Sequence, residues 1–107
     1  MQPALRTYTV ENELVIDIPE EFDSFKVDLA RDHLDTIAIE QSGDVTLNFE
    51  NTQFLDSSGI GAIVFLYKRL KAKDRQLHLT NVAGQPLILM SMLHVDRAIP
   101  LNQKLKT

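Results

Sequence analysis

Hydrophobic and polar residues alternate in four stretches of the chain, and this pattern predicts strands. Two of these stretches flank Glu11-Asn12-Glu13, where asparagine favours a tight connection, so we expect the first two strands to form a hairpin. Pro19 ends the second stretch because proline has no N–H to donate to a sheet. The predicted strands cover residues 5–10, 14–18, 45–49 and 77–82, with a candidate for a last short strand at 98–101.

Apolar residues at spacings of three and four predict three helices between the later strands. The first follows Asp23 and Ser24, which are both good N-cap residues, and Gly43 lies where a left-handed residue would end it. The second covers about 58–73, and the third starts at 84–86. The residues predicted to face the core are Val27, Ala30, Leu34, Ile37 and Ala38 in the first helix, Ile60, Ile63, Val64, Phe65, Leu66, Tyr67 and Leu70 in the second, and Leu89, Met90 and Leu93 in the third.

Strands and helices alternate along most of the chain, which favours an α/β fold with a partly parallel sheet. We expect a mixed β-sheet of four to five strands with three to four helices packed on it. No linker or repeat divides the sequence, so residues 1–107 are interpreted as a single domain.

Composition excludes several classes of function. The 107 residues include no cysteine, which rules out disulfides and cysteine-bound zinc, and no cluster of other metal ligands is visible. No apolar stretch approaches the ~20 residues of a membrane span, and the first ten residues do not resemble a secretory signal. The net charge of -4 argues against nucleic acid as the main partner. We therefore expect a cytoplasmic protein with no cofactor, no metal and no membrane insertion.

Charge is unevenly distributed between the two halves of the sequence. Residues 1–56 contain 13 acidic and 3 basic side chains, whereas residues 57–107 contain 2 acidic and 8 basic ones. The simpler interpretation is a solvated surface of mixed charge. The alternative is an acidic docking surface that includes Glu20, Glu21, Asp23 and Asp28.

The most informative place in the sequence is Ser57-Ser58-Gly59, where a strand meets a helix. The first N–H groups of a helix have no partner within the helix, so a serine hydroxyl can cap them and an anion is tolerated there. Gly59 and Gly61 remove bulk where another protein would have to approach the serines. An ordinary Asp or Ser cap, with glycines that serve packing, explains the same residues, and the residues alone leave both interpretations open.

An enzyme is a weaker interpretation. A serine nucleophile would need a base and an oxyanion hole, and the G-x-S-x-G elbow is absent. His33, His78 and His94 lie in separate elements with no spacing that brings them to Ser58. The phosphate-loop motif is also missing. We expect no catalysis, and a serine hydrolase remains a remote alternative.

Residues 54–61, Phe-Leu-Asp-Ser-Ser-Gly-Ile-Gly, resemble the motif of STAS domains, specifically bacterial anti-sigma factor antagonists. The resemblance implies that Ser58, directly before the glycine, is phosphorylated, with Ser57 the less favoured acceptor. It also implies that Asp23, at the start of the first helix, lies near the partner surface. The family's usual glycine before this Asp is replaced by Glu20-Glu21-Phe22, which leaves the identity of the partner open. The partner-binding residues implied by the resemblance are Asp23, Asp56, Ser57, Ser58, Gly59 and Gly61.

The resemblance further implies a partner-switching cycle. The unphosphorylated protein would bind an anti-sigma factor that is also a serine-protein kinase, phosphorylation of Ser58 would release it, and a PP2C-type phosphatase would reset the system. The alternative within the family is an unphosphorylated accessory subunit of a lipid-transport ATPase complex. Those subunits often lack a serine before the glycine, so Ser58 favours the switch. A weak homodimer, weak nucleotide or lipid binding, and the regulated pathway stay open.

Overall fold

Strands and helices alternate through most of the computed structural model, which describes residues 5–40 and 43–102. In these ranges the elements are β1 Arg6–Val10, β2 Glu13–Asp17, β3 Glu21–Phe22, α1 Ser24–Glu40, β4 Val45–Asn48, β5 Phe54–Leu55, α2 Ser57–Lys71, β6 Leu77–Thr80, α3 Gly84–Met92 and α4 Val95–Ala98.

The main sheet has the strand order β1-β2-β4-β6. The predicted hairpin is confirmed, because β1 and β2 pair antiparallel with Val10 opposite Glu13. Glu11 and Asn12 form the turn between them with φ angles of 49° and 70°, a left-handed conformation that asparagine tolerates well. β2 pairs with β4 and β4 with β6 in parallel, so the sheet is mixed, as predicted.

The two faces of this sheet differ in character. Ile16, Leu47 and Leu79 are in register on one face, where they join a single core with apolar residues of all four helices. Side chains on the other face are mainly polar and bind one another. There the Glu13 Oε1 atom accepts a hydrogen bond from the hydroxyl of the fully buried Thr46 at 2.9 Å. The helices described here therefore cover one side of the sheet.

A second, very short sheet was not predicted. β3 and β5 pair in parallel over two residues, with Glu21 opposite Phe54 and Phe22 opposite Leu55. Two residues are too few to show a period in the sequence. This pair places the starts of two helices side by side, because α1 begins just after β3 and α2 begins just after β5.

The end of α1 is tied to the segment that follows α2. The buried guanidinium of Arg75 donates hydrogen bonds to the carbonyl oxygens of Gly43 at 2.7 Å, Ala38 at 3.2 Å and Ile37 at 3.3 Å. Burial lowers the pKa of Arg75, and the nearby Asp44 carboxylate opposes this by raising it. The ammonium of Lys73 also donates to the Ala38 carbonyl, at 3.0 Å. These cations satisfy carbonyl groups that a helix end leaves unpaired.

Three details of the predicted core and strands are wrong. Ala98 belongs to α4, and of the candidate strand at 98–101 only Leu101 forms a bridge, to Leu79. Phe65 is exposed because it lies on the side of α2 opposite the buried stripe, where the Arg69 guanidinium covers its ring. Leu93 is also exposed, just beyond the end of α3.

Gly43 adopts the expected left-handed φ of 88°.

Within the described residues, no helix is long and apolar enough to cross a membrane.

Candidate protein-binding surface

The short β3–β5 pair brings two aspartates to one edge of the molecule. Asp23 follows β3 and caps α1, since its Oδ1 atom accepts a hydrogen bond from the Lys26 N–H at 3.0 Å. Asp56 follows β5 and caps α2, since its Oδ1 atom accepts from the Gly59 N–H at 2.9 Å. The other oxygen of Asp56 accepts from the N–H of Ser24, the first residue of α1, at 3.2 Å. One carboxylate therefore joins the starts of both helices.

The two serines are the first residues of α2, and the cap is Asp56. Ser57 is exposed and Ser58 is half-buried. Among the residues that the structure describes, no side-chain hydrogen bond involves either hydroxyl, so Asp56 leaves both of them available. Ser58 lies at one end of a groove of about 360 Å³ between α1 and α2.

The two glycines of the motif have different roles. Gly59 is buried, and a Cβ atom there would lie 2.5 Å from both the Phe22 carbonyl oxygen and the Leu55 Cδ1 atom. It therefore allows α2 to pack closely against β3 and β5, as the packing interpretation of the sequence proposed. Gly61 is exposed, and a Cβ atom there would meet nothing within 4 Å. Packing within the described chain gives no reason for a glycine at 61.

Exposed hydrophobic side chains near this edge were missed in the sequence. Phe25 and Leu29 are 65% and 57% exposed on the outer face of α1, and Phe54 is 42% exposed on β5. The signal was present, because Phe25 and Leu29 lie four residues apart on the helix face opposite Val27 and Leu34, which pack in the core. Exposed apolar groups that cluster beside polar ones are typical of protein-binding surfaces.

Acidic side chains surround the same edge. Glu20 and Glu21 are exposed in and next to β3, and Asp28 is exposed in the first turns of α1. The basic residues Lys68, Arg69 and Lys71 lie in the last turn of α2, at the far end of that helix. Acidic side chains of residues 20–28 thus lie around the helix starts, away from these basic residues.

The three histidines show no arrangement suited to a serine nucleophile in the described structure. His78 lies on the polar face of the sheet, where its Nδ1 atom is 3.2 Å from Glu13 Oε1. His94 precedes α4, and His33 is half-buried in α1. No hydrogen bond between a histidine and Ser58 is present in residues 5–40 and 43–102. These same residues contain no group of three or more His, Cys, Asp or Glu side chains that could hold a metal ion.

Comparison with known families identifies the fold. The family model described as STAS domain matches residues 4–107, which is almost the whole chain. The chain belongs to the STAS domain family. The resemblance seen in residues 54–61 is thereby confirmed, and so is the predicted α/β architecture.

Similar curated proteins are named as antagonists of anti-sigma factors. The anti-sigma-B factor antagonist of Bacillus subtilis (strain 168) is 26% identical over 94 residues, covering 88% of this chain and 85% of that protein. The anti-sigma F factor antagonist of Paenibacillus polymyxa is 28% identical over 89 residues, covering 82% and 76%.

Several solved structures share the fold of this chain. A STAS protein from Planctomyces limnophilus superposes with a TM-score of 0.84 at 18% identity, over 97% of this chain and 92% of that one. The anti-sigma factor antagonist SpoIIAA in its unphosphorylated form gives a TM-score of 0.73 at 23% identity, over 95% and 89%. SpoIIAA in its phosphorylated form also gives 0.73, at 20% identity, over 94% and 92%. At these identities the likeness establishes the fold alone.

Proposed function

We propose that this STAS domain is a protein-binding switch of the anti-sigma factor antagonist type, controlled by phosphorylation of Ser58 and without catalysis of its own. The unphosphorylated domain binds an anti-sigma factor that is also a serine-protein kinase. Transfer of phosphate to Ser58 releases this partner, and a PP2C-type phosphatase restores the binding form in the cytoplasm. The names of the similar curated proteins support an anti-sigma factor as the partner.

The observation that carries the proposal is the position of Ser58. Its hydroxyl is in the first turn of α2, and Asp56 provides the helix cap that a serine would otherwise provide. The exposed Phe25 and Phe54 and the acidic side chains of Glu21 and Asp23 belong to the same edge of the molecule. A partner with an apolar centre and a basic rim would be complementary to such a surface.

Phosphorylation would oppose binding for a physical reason. A phosphate adds a charge of about -1.5 to -2 at neutral pH, together with bulk. A partner that fits the bare hydroxyl would have to bury this charge, which costs several kcal/mol unless the charge is paired. Within the proposed interface, Gly61 leaves room for close approach of the partner, and Gly59 fixes the position of the serines by close packing.

The test begins with the phosphorylation site. The protein is incubated with its cognate kinase and ATP, and the modified residue is mapped by tandem mass spectrometry. Phosphate on Ser58 is expected, and phosphate found only on Ser57 or elsewhere would contradict the assignment.

Partner binding is then compared between two variants at the same salt concentration. Ser58→Ala should bind the partner constitutively, because it keeps a small neutral surface, whereas Ser58→Asp should bind poorly. Ser91→Asp, at an exposed serine on α3, controls for the added charge and should bind like the wild type. Equal affinities of Ser58→Ala and Ser58→Asp would contradict control by charge. Recovery of lipid-transport subunits in a pull-down would favour the accessory-subunit alternative.

A further inference from the structure

The groove between α1 and α2 contains a cation close to the proposed phosphorylation site. Each helix contributes one stripe of residues at spacings of three or four, so the two stripes face each other. On the α2 side, Ser58 and Gly61 are neighbours, and the missing side chain of Gly61 leaves the groove open. On the α1 side, Arg31 is the one cation among the described residues that line this groove. The lining residues are Val27, Arg31, Leu34 and Asp35 from α1 and Ser58, Gly61, Ala62 and Phe65 from α2.

Arg31 is held only weakly in its present position. Its Nη2 atom is 3.0 Å from Asp28 Oδ1, one turn earlier on α1, and the two side chains are 64% and 73% exposed. Exposed ion pairs of this kind contribute little to stability, because water screens them and long side chains lose freedom. The guanidinium can therefore leave Asp28 for a stronger partner at small cost.

A phosphate on Ser58 would be such a partner. It carries more charge than a carboxylate and has three acceptor oxygens, and guanidinium groups bind phosphates through two parallel hydrogen bonds. Asp35 in the same groove and Asp56 next to the serines would repel a phosphate. A nearby cation would offset this repulsion.

We propose that Arg31 is an internal receptor for the phosphate of Ser58. After phosphorylation, the Arg31 guanidinium exchanges Asp28 for the phosphate and holds it in the groove against α1. The proposal rests on the phosphorylation of Ser58 in the proposed function, and it adds a regulatory step to it. The phosphate is paired within the domain, so it is less available to cations of the former partner, and the released form is stabilised.

The test uses protein that carries phosphoserine at position 58, installed during translation. The phosphate is titrated with pH and followed by phosphorus NMR. A nearby cation favours the dianion, so Arg31→Gln should move the titration midpoint to higher pH by roughly 0.3–0.7 pH unit, the size expected for an exposed pair. Arg31→Lys should give a midpoint between those of the wild type and Arg31→Gln. Asp28→Asn should move the midpoint to lower pH, because it removes the competing carboxylate.

The control is Arg6→Gln, which makes the same charge change on β1, where Arg6 lies 3.7 Å from Asp17. An unchanged midpoint in Arg31→Gln, or an equal change in Arg6→Gln, would overturn the proposal. Thermal melts of the unmodified variants check that they fold. If Arg31→Gln is unstable, the expected shift of the midpoint to lower pH in Asp28→Asn provides the test instead. Failure of the cellular kinase to modify Ser58 would contradict the proposed function and leave this titration valid. An unchanged midpoint would contradict the role of Arg31 and leave the switch standing.

Discussion

Gly59 and Gly61 form a matched pair for testing how the start of α2 is packed. Replacing a glycine inside a helix by alanine raises the free energy of unfolding by up to about 1 kcal/mol, because alanine has the higher helix propensity. At Gly61 the new methyl group meets nothing within 4 Å, so Gly61→Ala should gain most of this amount. The same gain is available at Gly59, but contacts oppose it.

The Gly59→Ala methyl group would lie 2.5 Å from the Phe22 carbonyl oxygen and from Leu55 Cδ1. Carbon atoms normally approach to about 3.5–4.0 Å, so the helix or its neighbours must move by about 1 Å. Leu55 can adjust its side chain, but the Phe22 carbonyl belongs to the backbone of β3, which is paired with β5. Overpacking of this kind costs about 1–3 kcal/mol. Since the gain in helix propensity is the same at both positions, we expect Gly59→Ala to be less stable than Gly61→Ala by this overpacking cost, about 1–3 kcal/mol.

The measurement is urea unfolding followed by circular dichroism for the wild type and both variants. Equal m values would show that the free energies of unfolding can be compared directly. Gly61→Ala should have a higher unfolding midpoint than the wild type, and Gly59→Ala a lower one. Equal stability of the two variants would refute the reasoning, because it would mean that α2 can shift away from β3 without cost.

Three further variants test the charged groups at the two ends of α1. Asp23→Asn keeps an oxygen for the cap, so its free energy of unfolding should change by less than ~0.5 kcal/mol. Calorimetry should nevertheless show weaker partner binding than for the control Asp96→Asn. Unchanged affinity of Asp23→Asn would exclude docking by Asp23. Asp56→Ala removes the hydrogen-bond acceptors for the starts of two helices. Its free energy of unfolding in urea should fall by about 2 kcal/mol, and that of Asp56→Asn by less. Wild-type stability of Asp56→Ala would contradict the capping role of Asp56. Arg75→Met leaves buried carbonyl groups without donors, so its free energy of unfolding should fall by about 2–4 kcal/mol. Lys73 is exposed, so Lys73→Met should lose less than ~1 kcal/mol. Similar losses in the two variants would refute the importance of burial.

The sequence was sufficient for the main sheet because its strands follow a period of two. Residues such as Leu14, Ile16 and Ile18 face the core in alternation, and the turn at Asn12 is marked by its residue type. The strand ends were less certain. β6 stops at Thr80 because Asn81 adopts a left-handed φ of 58°, which interrupts the extended backbone.

Contacts between distant parts of the chain could not be predicted from local patterns. The β3–β5 pair has two residues in each strand, so the bond from Ser24 N–H to Asp56 has no local signal. The different roles of Gly59 and Gly61 likewise depend on what lies opposite each of them. The motif located the serines correctly at the start of α2, yet only the fold places Arg31 in the groove beside Ser58.

The fastening of α1 at both ends has a consequence for the energetics of association. Asp56 binds the first residue of α1, and Arg75 and Lys73 bind carbonyl groups near the end of α1. The helix therefore has little conformational freedom to lose when another molecule docks on it. Binding to a preorganised surface costs little conformational entropy. Affinity can then come from a small contact area, and a small contact area is one that a single added phosphate is able to disrupt. In the proposed switch, the same rigidity would both strengthen the complex and make it easy to reverse.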